Sequence, residues 1–283
     1  MTDFGAGIDL VILVVAALLP AIIYLAWVRK SERYQREAWG TLLGSFVYGA
    51  IVATFTAIFL ESIVLAAGNA IAPHLPGPEF IFLNSSSSAG LFFLVLVVAP
   101  FIEEGLKASG VTRVGPKLRV LGDGPVFGAA VGLGFGFFET FLYGVSYFLV
   151  GGLALALGVV IERSLSSILL HGSTTGMFGY GYAAGRLRGV KGAAGRYYLL
   201  AVLMHASFNA LVSLGLVLSF FGFGSSLQAD ADLIGLGAGI LFAFLAIEHV
   251  RRLITCYDTL AAATAHPRFP PPKVRPVPVP GRR

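Results

Sequence analysis

The segment 97–110, VVAPFIEEGLKASG, places two adjacent carboxylates and one lysine in an otherwise apolar run. On a helix, Lys107 lies four residues after Glu103 and three after Glu104, so its ammonium group is close to both carboxylates. One lysine balances the charge of one glutamate, which leaves a second carboxylate able to act as a base, bind a proton or ligate a metal ion. We interpret all three as catalytic candidates. The alternative is an ion-pair cluster that only fixes helix packing.

Three other apolar segments carry isolated polar side chains. Glu139 lies in GLGFGFFETFLYG, whose glycines allow a neighbouring helix to approach closely, and His171 lies in RSLSSILLHGSTTG, eight residues after Arg163. His205 and Asn209, in LLAVLMHASFNALV, are four residues apart and therefore share a helix face. Taken singly, each could be a packed, hydrogen-bonded residue. They indicate a site only if the helices bring them together.

Glu61 is a further carboxylate within an apolar segment, and no helical neighbour obviously pairs with it. We expect it to lie near the external end of its segment, where water solvates it. It is therefore assigned a structural role and left out of the predicted site.

These side chains make up the residue set of metal-assisted or general-base hydrolysis. Two histidines and one carboxylate are a common ligand set for catalytic zinc, with a fourth position open to water. We predict that Glu139, His171 and His205, from three different segments, bind a divalent metal, with zinc favoured. No Ser/His/Asp arrangement and no H-E-x-x-H sequence is present.

The remaining polar groups predict the other parts of a hydrolytic centre. A metal lowers the pKa of a bound water from 15.7 to about 7, and a glutamate of segment 97–110 can accept the proton. Asn209 and Lys107 could then stabilise the oxyanion of a tetrahedral intermediate. Each of these roles requires the segments to meet at one depth.

The elements that must position these residues are membrane helices. The chain is 56% hydrophobic and only 12% charged, whereas a soluble domain carries roughly 25% charged residues. Apolar runs of about 20 residues recur along its length, and each is long enough to span a bilayer. The fold class predicted is all-α, a polytopic membrane bundle of seven or eight transmembrane helices. The seven segments are 8–28, 41–67, 89–111, 125–149, 164–184, 197–220 and 233–250.

Positive charge orients the predicted bundle. All Lys and Arg residues except Lys107 and Arg163 follow segments one, three, five and seven, whereas the opposite connections carry acidic residues and no Lys or Arg. The positive-inside rule places the basic side in the cytoplasm. The N-terminus is thus predicted outside and the C-terminus inside, in a bacterial-type cytoplasmic (inner) membrane. The net charge of +5 reflects topology and gives no indication of nucleic-acid binding.

Two divisions of the chain are predicted. Residues 1–255 form an integral membrane domain with its core at about 97–212, and residues 256–283 form a Pro-rich, basic cytoplasmic tail that could contact membrane lipid. The lone Cys256 excludes a disulfide framework. At 1.5 Å per residue, Glu103 and His205 lie roughly 12 Å, and Glu139 and His171 roughly 20 Å, from the cytoplasmic helix ends. Given helix tilt, we expect these four to share one layer.

The order of these motifs also resembles a known family. APFIEEGLK, DGPVFGAAVGLGFGFFETFLYG, RSLSSILLHGSTTG and LMHASFNAL follow one another over about residues 100–210, as in the PrsW family of bacterial membrane proteases, which is related to the CAAX prenyl protease and Abi group. The family motifs E-E-x-x-K, F-x-x-x-E and H-x-x-x-N match here, together with an Arg and a His on the intervening segment. The CAAX relatives have histidine where this chain has Glu139.

The resemblance implies an intramembrane endopeptidase that cuts a membrane protein or peptide, such as a single-span anti-sigma factor. In that setting we favour Glu103 as the water-activating base, with Glu104 next. A proton- or cation-coupled transporter is the alternative, because membrane glutamates and histidines also form proton relays. The chain shows no evident internal repeat, which argues against a transporter. A third possibility is a non-catalytic scaffold. Finally, the glycine-rich faces of segments four and five predict a lateral gap for substrate entry.

Overall fold

The computed structural model describes residues 3–34, 36–75 and 78–265, which are mostly helical and include no β-strand. Within these ranges, ten α-helices are interrupted by short 3₁₀ and π-helical turns. The helices are Asp3–Arg29 (α1), Trp39–Val47 (α2), Thr54–Ile71 (α3), Ser88–Phe93 (α4), Ala99–Arg113 (α5), Asp123–Leu165 (α6), Ser167–Arg188 (α7), Ala193–Val212 (α8), Leu214–Phe220 (α9) and Ser225–Ala265 (α10). The predicted all-α membrane bundle is confirmed.

Within the described residues, five continuous stretches are long and apolar enough to cross a membrane, and α8 with α9, bent by 84° at their junction, makes a sixth if counted as one. The five are Gly7–Arg29, Trp39–His74, Ser88–Arg113, Asp123–Arg188 and Ser225–Thr264. The count of seven or eight spans and the sides of the two termini stay predictions. Every predicted segment is nevertheless helical, apart from single turn residues at Ser166 and Ser213.

The longest stretch folds back on itself. Gly152 has a φ of 78°, a left-handed conformation that glycine adopts without a Cβ penalty. Beyond it the chain reverses, so that Gly144 packs against Val160. The Gly/Ala-rich residues 152–161 are thus the start of the second limb of this hairpin, and α7 continues that limb after a break at Ser166.

Glycines bring α6 and α7 into backbone contact. A Cβ added to Gly124, Gly128 or Gly132 would lie 1.9–2.2 Å from a carbonyl oxygen of α7. The expectation that the glycines before Glu139 allow close helix approach is confirmed at Gly132. The predicted lateral gap between these two segments is wrong, because the same glycines close the seam with direct backbone packing.

The C-terminal helix extends past the domain boundary predicted at residue 255, since α10 continues to Ala265. On the cytoplasmic side of the predicted topology, Asp258 accepts hydrogen bonds from the backbone N–H groups of Arg33 and Tyr34. This contact ties the end of α10 to the α1–α2 connection. The rest of the predicted tail, 266–283, lies outside the described residues.

Candidate active site

Four helices deliver the predicted polar residues to one buried cluster. The helix α5 carries Glu103, Glu104 and Lys107, while α6, α7 and α8 carry Glu139, His171 and His205, respectively. The imidazole rings of the two histidines meet edge to face, with their centroids 5.0 Å apart. The convergence expected from helix depth is therefore present in the structure.

Lys107 lies at the centre of the cluster and is fully buried. Its Nζ is 2.7 Å from Glu104 Oε1, 3.5 Å from Glu103 Oε2 and 2.8 Å from His171 Nδ1. The ammonium group also lies 4.4 Å from the centroid of the Phe135 ring, within cation–π range. As the sequence spacing indicates, Lys107 contacts both glutamates, and its Nζ lies nearer to Glu104.

Glu104 holds His205 in a defined orientation. Glu104 Oε1 accepts hydrogen bonds from His205 Nδ1 at 2.9 Å and from Thr174 Oγ1 at 3.0 Å, in addition to the contact with Lys107. Because Nδ1 donates to the carboxylate, a neutral His205 carries its lone pair on Nε2, and this atom lies 3.9 Å from Glu103 Oε2. Glu104 is thus a positioning group whose Oε1 is saturated.

His171 is oriented in a similar way by α6. An ammonium group can only donate, so His171 Nδ1 accepts the hydrogen bond from Lys107, and Nε2–H donates to Glu139 Oε2 at 2.8 Å. Glu139 Oε2 also accepts from Arg163 Nη2 at 2.7 Å. Arg163 and His171, eight residues apart in sequence, therefore contact the same carboxylate oxygen from the two sides of the break at Ser166.

The donor atoms fit a metal ion. Among the described residues, one ligand atom each from Glu103, His171 and His205 lies within 4.8 Å of the others, and all three side chains are buried. Glu103 Oε2 is buried and makes no hydrogen bond. Two imidazoles and one carboxylate are the donor set of catalytic zinc sites. Lys107 lies against His171 Nδ1, so a cation bound there would compete with the ammonium for that lone pair.

A cavity of about 470 Å³ opens beside the cluster. Glu103, Glu139, His171, His205 and Asn209 all line it, whereas Lys107 does not. The Asn209 amide donates one hydrogen bond to the Val95 carbonyl, 2.9 Å away, in the π-helical turn before α5. The second amide N–H remains available to a molecule in the cavity.

Sequence reasoning missed several contacts of the cluster and its cavity. Thr174, which bonds Glu104 but does not line the cavity, carries no sequence signal, because it follows His171 within a run of small polar residues. Arg163 stacks on Tyr143, 3.8 Å from the ring centroid, a contact that depends on the α6 hairpin. Glu61, to which we gave a structural role, lines the same cavity.

Comparisons with known proteins match most of the chain to one family. Residues 37–230 match the family described as "PrsW family intramembrane metalloprotease". A protein named "Protease PrsW" from Clostridioides difficile (strain 630) is 28% identical over 191 residues, which cover 66% of this chain and 72% of the relative. No solved structure matches the chain. The family match includes all four helices of the cluster.

Proposed function

Because the chain belongs to the PrsW family of intramembrane metalloproteases, a class of membrane peptidase, we propose that Glu103, His171 and His205 form its hydrolytic centre. The supporting observation is their approach to within 4.8 Å in a buried cluster that borders a cavity. The substrate we propose is a membrane-associated protein, cut within or near its single span. An anti-sigma factor is the substrate class that the family resemblance suggests.

Glu103 is the carboxylate we propose as the proton acceptor. Its Oε2 makes no hydrogen bond, lies 3.9 Å from a ring nitrogen of each histidine and borders the cavity. Glu104 Oε2 also makes no hydrogen bond, but Glu104 does not line the cavity and its Oε1 accepts bonds from three groups. Glu139 Oε2 is engaged by Arg163 and His171. Lys107 lies nearer to Glu104 than to Glu103, at 2.7 Å against 3.5 Å, and a carboxylate that is less strongly engaged by donors is the better base. Glu103 therefore takes the proton of the attacking water.

Glu103, His171 and His205 are also the residues that would hold a divalent cation, and zinc is the ion that this donor set favours. When bound, such a cation would supply a lowered pKa for a water molecule and polarisation of the substrate carbonyl. A carboxylate has two oxygens, so Glu103 can ligate through one and accept a proton on the other. The ligand set expected from sequence has Glu139 in place of Glu103. In the arrangement proposed here, Glu139 instead orients the His171 ring.

The other residues position the reaction. Lys107 pairs with Glu104, and because it does not line the cavity, we assign it positioning rather than oxyanion binding. A cation held by His171 would take the Nδ1 lone pair that now accepts from Lys107, and the ammonium would keep its contacts with the two glutamates. Asn209 has a free amide N–H at the cavity wall and is the oxyanion donor we propose. The site operates inside the bilayer, which we take to be the bacterial inner membrane, with lipid as the surrounding partner.

The test is cleavage of a degenerate library of single-span peptides by protein reconstituted in liposomes, with new termini identified by mass spectrometry. Glu103→Gln should abolish cleavage without lowering the unfolding temperature by more than a few degrees. Glu162→Gln is the matched control, because Glu162 is a half-buried glutamate of α6 outside the cavity. Full turnover by the Glu103→Gln variant would contradict the proposal.

The transporter alternative makes a separate prediction. Ion flux through the same liposomes that survives chelation and requires Glu103 or Glu139 would favour it. The buried cluster has a cavity on one side, but the family to which the chain belongs is one of proteases, so transport is not favoured.

A further inference from the structure

Glu61 is a carboxylate in the cavity that the hydrolytic centre does not use. Its Oε1 is buried and has no hydrogen-bond partner, and the side chain forms no ion pair with any described residue. An unpaired charge within a membrane helix is costly, and such residues usually face a partner or a water-filled cavity and mark a functional site. The position therefore needs a partner that the bundle itself does not supply.

One face of helix α3 lines the cavity, and Glu61 lies on that face. Thr54, Ala57, Ile58 and Glu61 are spaced by three and four residues and all line the cavity, as one helix face does. The placement of Glu61 there is thus a property of the whole helix and does not depend on a single rotamer.

The charges of the cavity wall leave Glu61 unmatched. The described lining includes three carboxylates, Glu61, Glu103 and Glu139, and one cation, Arg163. Arg163 is already paired with Glu139 at 2.7 Å, and Lys107 contacts Glu104 at 2.7 Å and Glu103 at 3.5 Å, so neither cation is left for Glu61. A bound molecule that carries a positive charge would complement Glu61, the lining carboxylate that no cation of the described residues contacts.

The position of Glu61 along the cavity can be read from neighbouring contacts. Gly49 lies against Val131, and Phe55 packs on Phe138 with ring centroids 5.2 Å apart, so α3 and α6 run in the same direction. Six residues after Phe55, Glu61 is level with about residue 144 of α6. That is five residues beyond Glu139, or about 7.5 Å along the helix axis. An extended peptide rises about 3.3 Å per residue, so this offset corresponds to two or three residues.

We propose that Glu61 is a specificity residue that binds a lysine or arginine side chain of the substrate, two or three residues from the cleaved bond. Thr54, Ala57 and Ile58 supply the rest of the α3 wall, against which the alkyl part of such a side chain packs. The inference rests on the proposed proteolytic function, and it adds to it the class of residue that the cavity selects.

Two measurements test this inference. In the cleavage assay with the degenerate single-span library, wild-type protein should show Lys or Arg enriched about tenfold at two or three residues from the cut. Glu61→Gln should reduce the enrichment to about one, and Glu61→Lys should replace it with enrichment of Asp and Glu. The Glu162→Gln control should keep the wild-type profile.

The second measurement does not depend on turnover. The Glu103→Gln protein is incubated with the same library, and bound peptides are identified by mass spectrometry, with and without Glu61→Gln. Basic peptides should be retained about tenfold over neutral ones, and the second substitution should remove the difference. If nothing is cleaved but this preference is found, the proteolytic proposal fails while the Glu61 site stands. An identical profile with and without Glu61, in either measurement, overturns the inference.

Discussion

Substitution of Gly132 by alanine tests whether close helix packing holds the site together. A Cβ at this position would lie 1.9 Å from the His171 carbonyl oxygen, 2.5 Å from its carbon and 2.9 Å from Gly172 N. All three are backbone atoms, so no side-chain rotation relieves the overlap. Ordinary contact requires at least about 3.4 Å, and α6 and α7 must therefore separate by about 1.5 Å.

That separation acts directly on the catalytic geometry, because the backbone that must move is that of His171 itself. Its ring must stay within 3.9 Å of Glu103 Oε2 and in contact with Lys107 and Glu139. A displacement of about 1 Å can cost a hundredfold in rate. We expect Gly132→Ala to lower kcat/KM for any cleaved single-span peptide by about a hundredfold.

The matched control lies in the same helix. A methyl group added at Gly158 would have no atom within 4 Å, and alanine is favoured over glycine in helices by about 1 kcal/mol. Gly158→Ala should therefore keep wild-type cleavage and an equal or higher unfolding temperature. If Gly132→Ala and Gly158→Ala cleave the library equally well, the close α6–α7 seam does not position His171, and the reasoning is refuted.

Three further predictions concern charge and metal. Lys107→Met leaves the buried Glu104 carboxylate without its cation and should lower the free energy of unfolding by about 3–5 kcal/mol. Adding Glu104→Gln should recover part of that loss, and strictly additive losses in this double-mutant cycle would contradict the pairing. His205→Ala should reduce the divalent metal found by elemental analysis of purified protein and abolish chelator-sensitive cleavage, whereas unchanged metal content would exclude His205 as a ligand. Burial, with the nearby carboxylates of Glu37, Asp123 and Asp258, raises the pKa of Glu32 to about 7 from 4.5, so the folded state holds its proton more tightly than the unfolded state. The free energy of unfolding should therefore fall as pH rises from about 4.5 to about 7, and Glu32→Gln should flatten that slope in thermal unfolding across this range.

Local patterns in the chain determined the type of fold and the membership of the site. Apolar runs of span length dictate helices in a bilayer, because backbone groups must be satisfied within each segment. Charged and imidazole side chains within those runs are costly, so their presence alone marked Glu103, Glu104, Glu139, His171 and His205 for a common interior. The predicted residues meet because these helices have only one interior in which to place them.

Contacts between helices decided the rest. The roles of the three carboxylates depend on how α5 and α6 are rotated about their axes, which spacing along one helix does not define. These rotations decide which carboxylate pairs with Lys107, which lies beside both imidazoles and which pairs with Arg163. The pairing of Arg163 with Glu139 requires the reversal at Gly152 and the break at Ser166, and both are tertiary features. The same reasoning explains the error at Glu61: a residue without partners on its own helix looks solvated in the sequence, whereas the neighbouring helices place it at the wall of a cavity. Sequence determines that such groups must be buried together, since lipid cannot solvate them; only packing determines which atoms face one another.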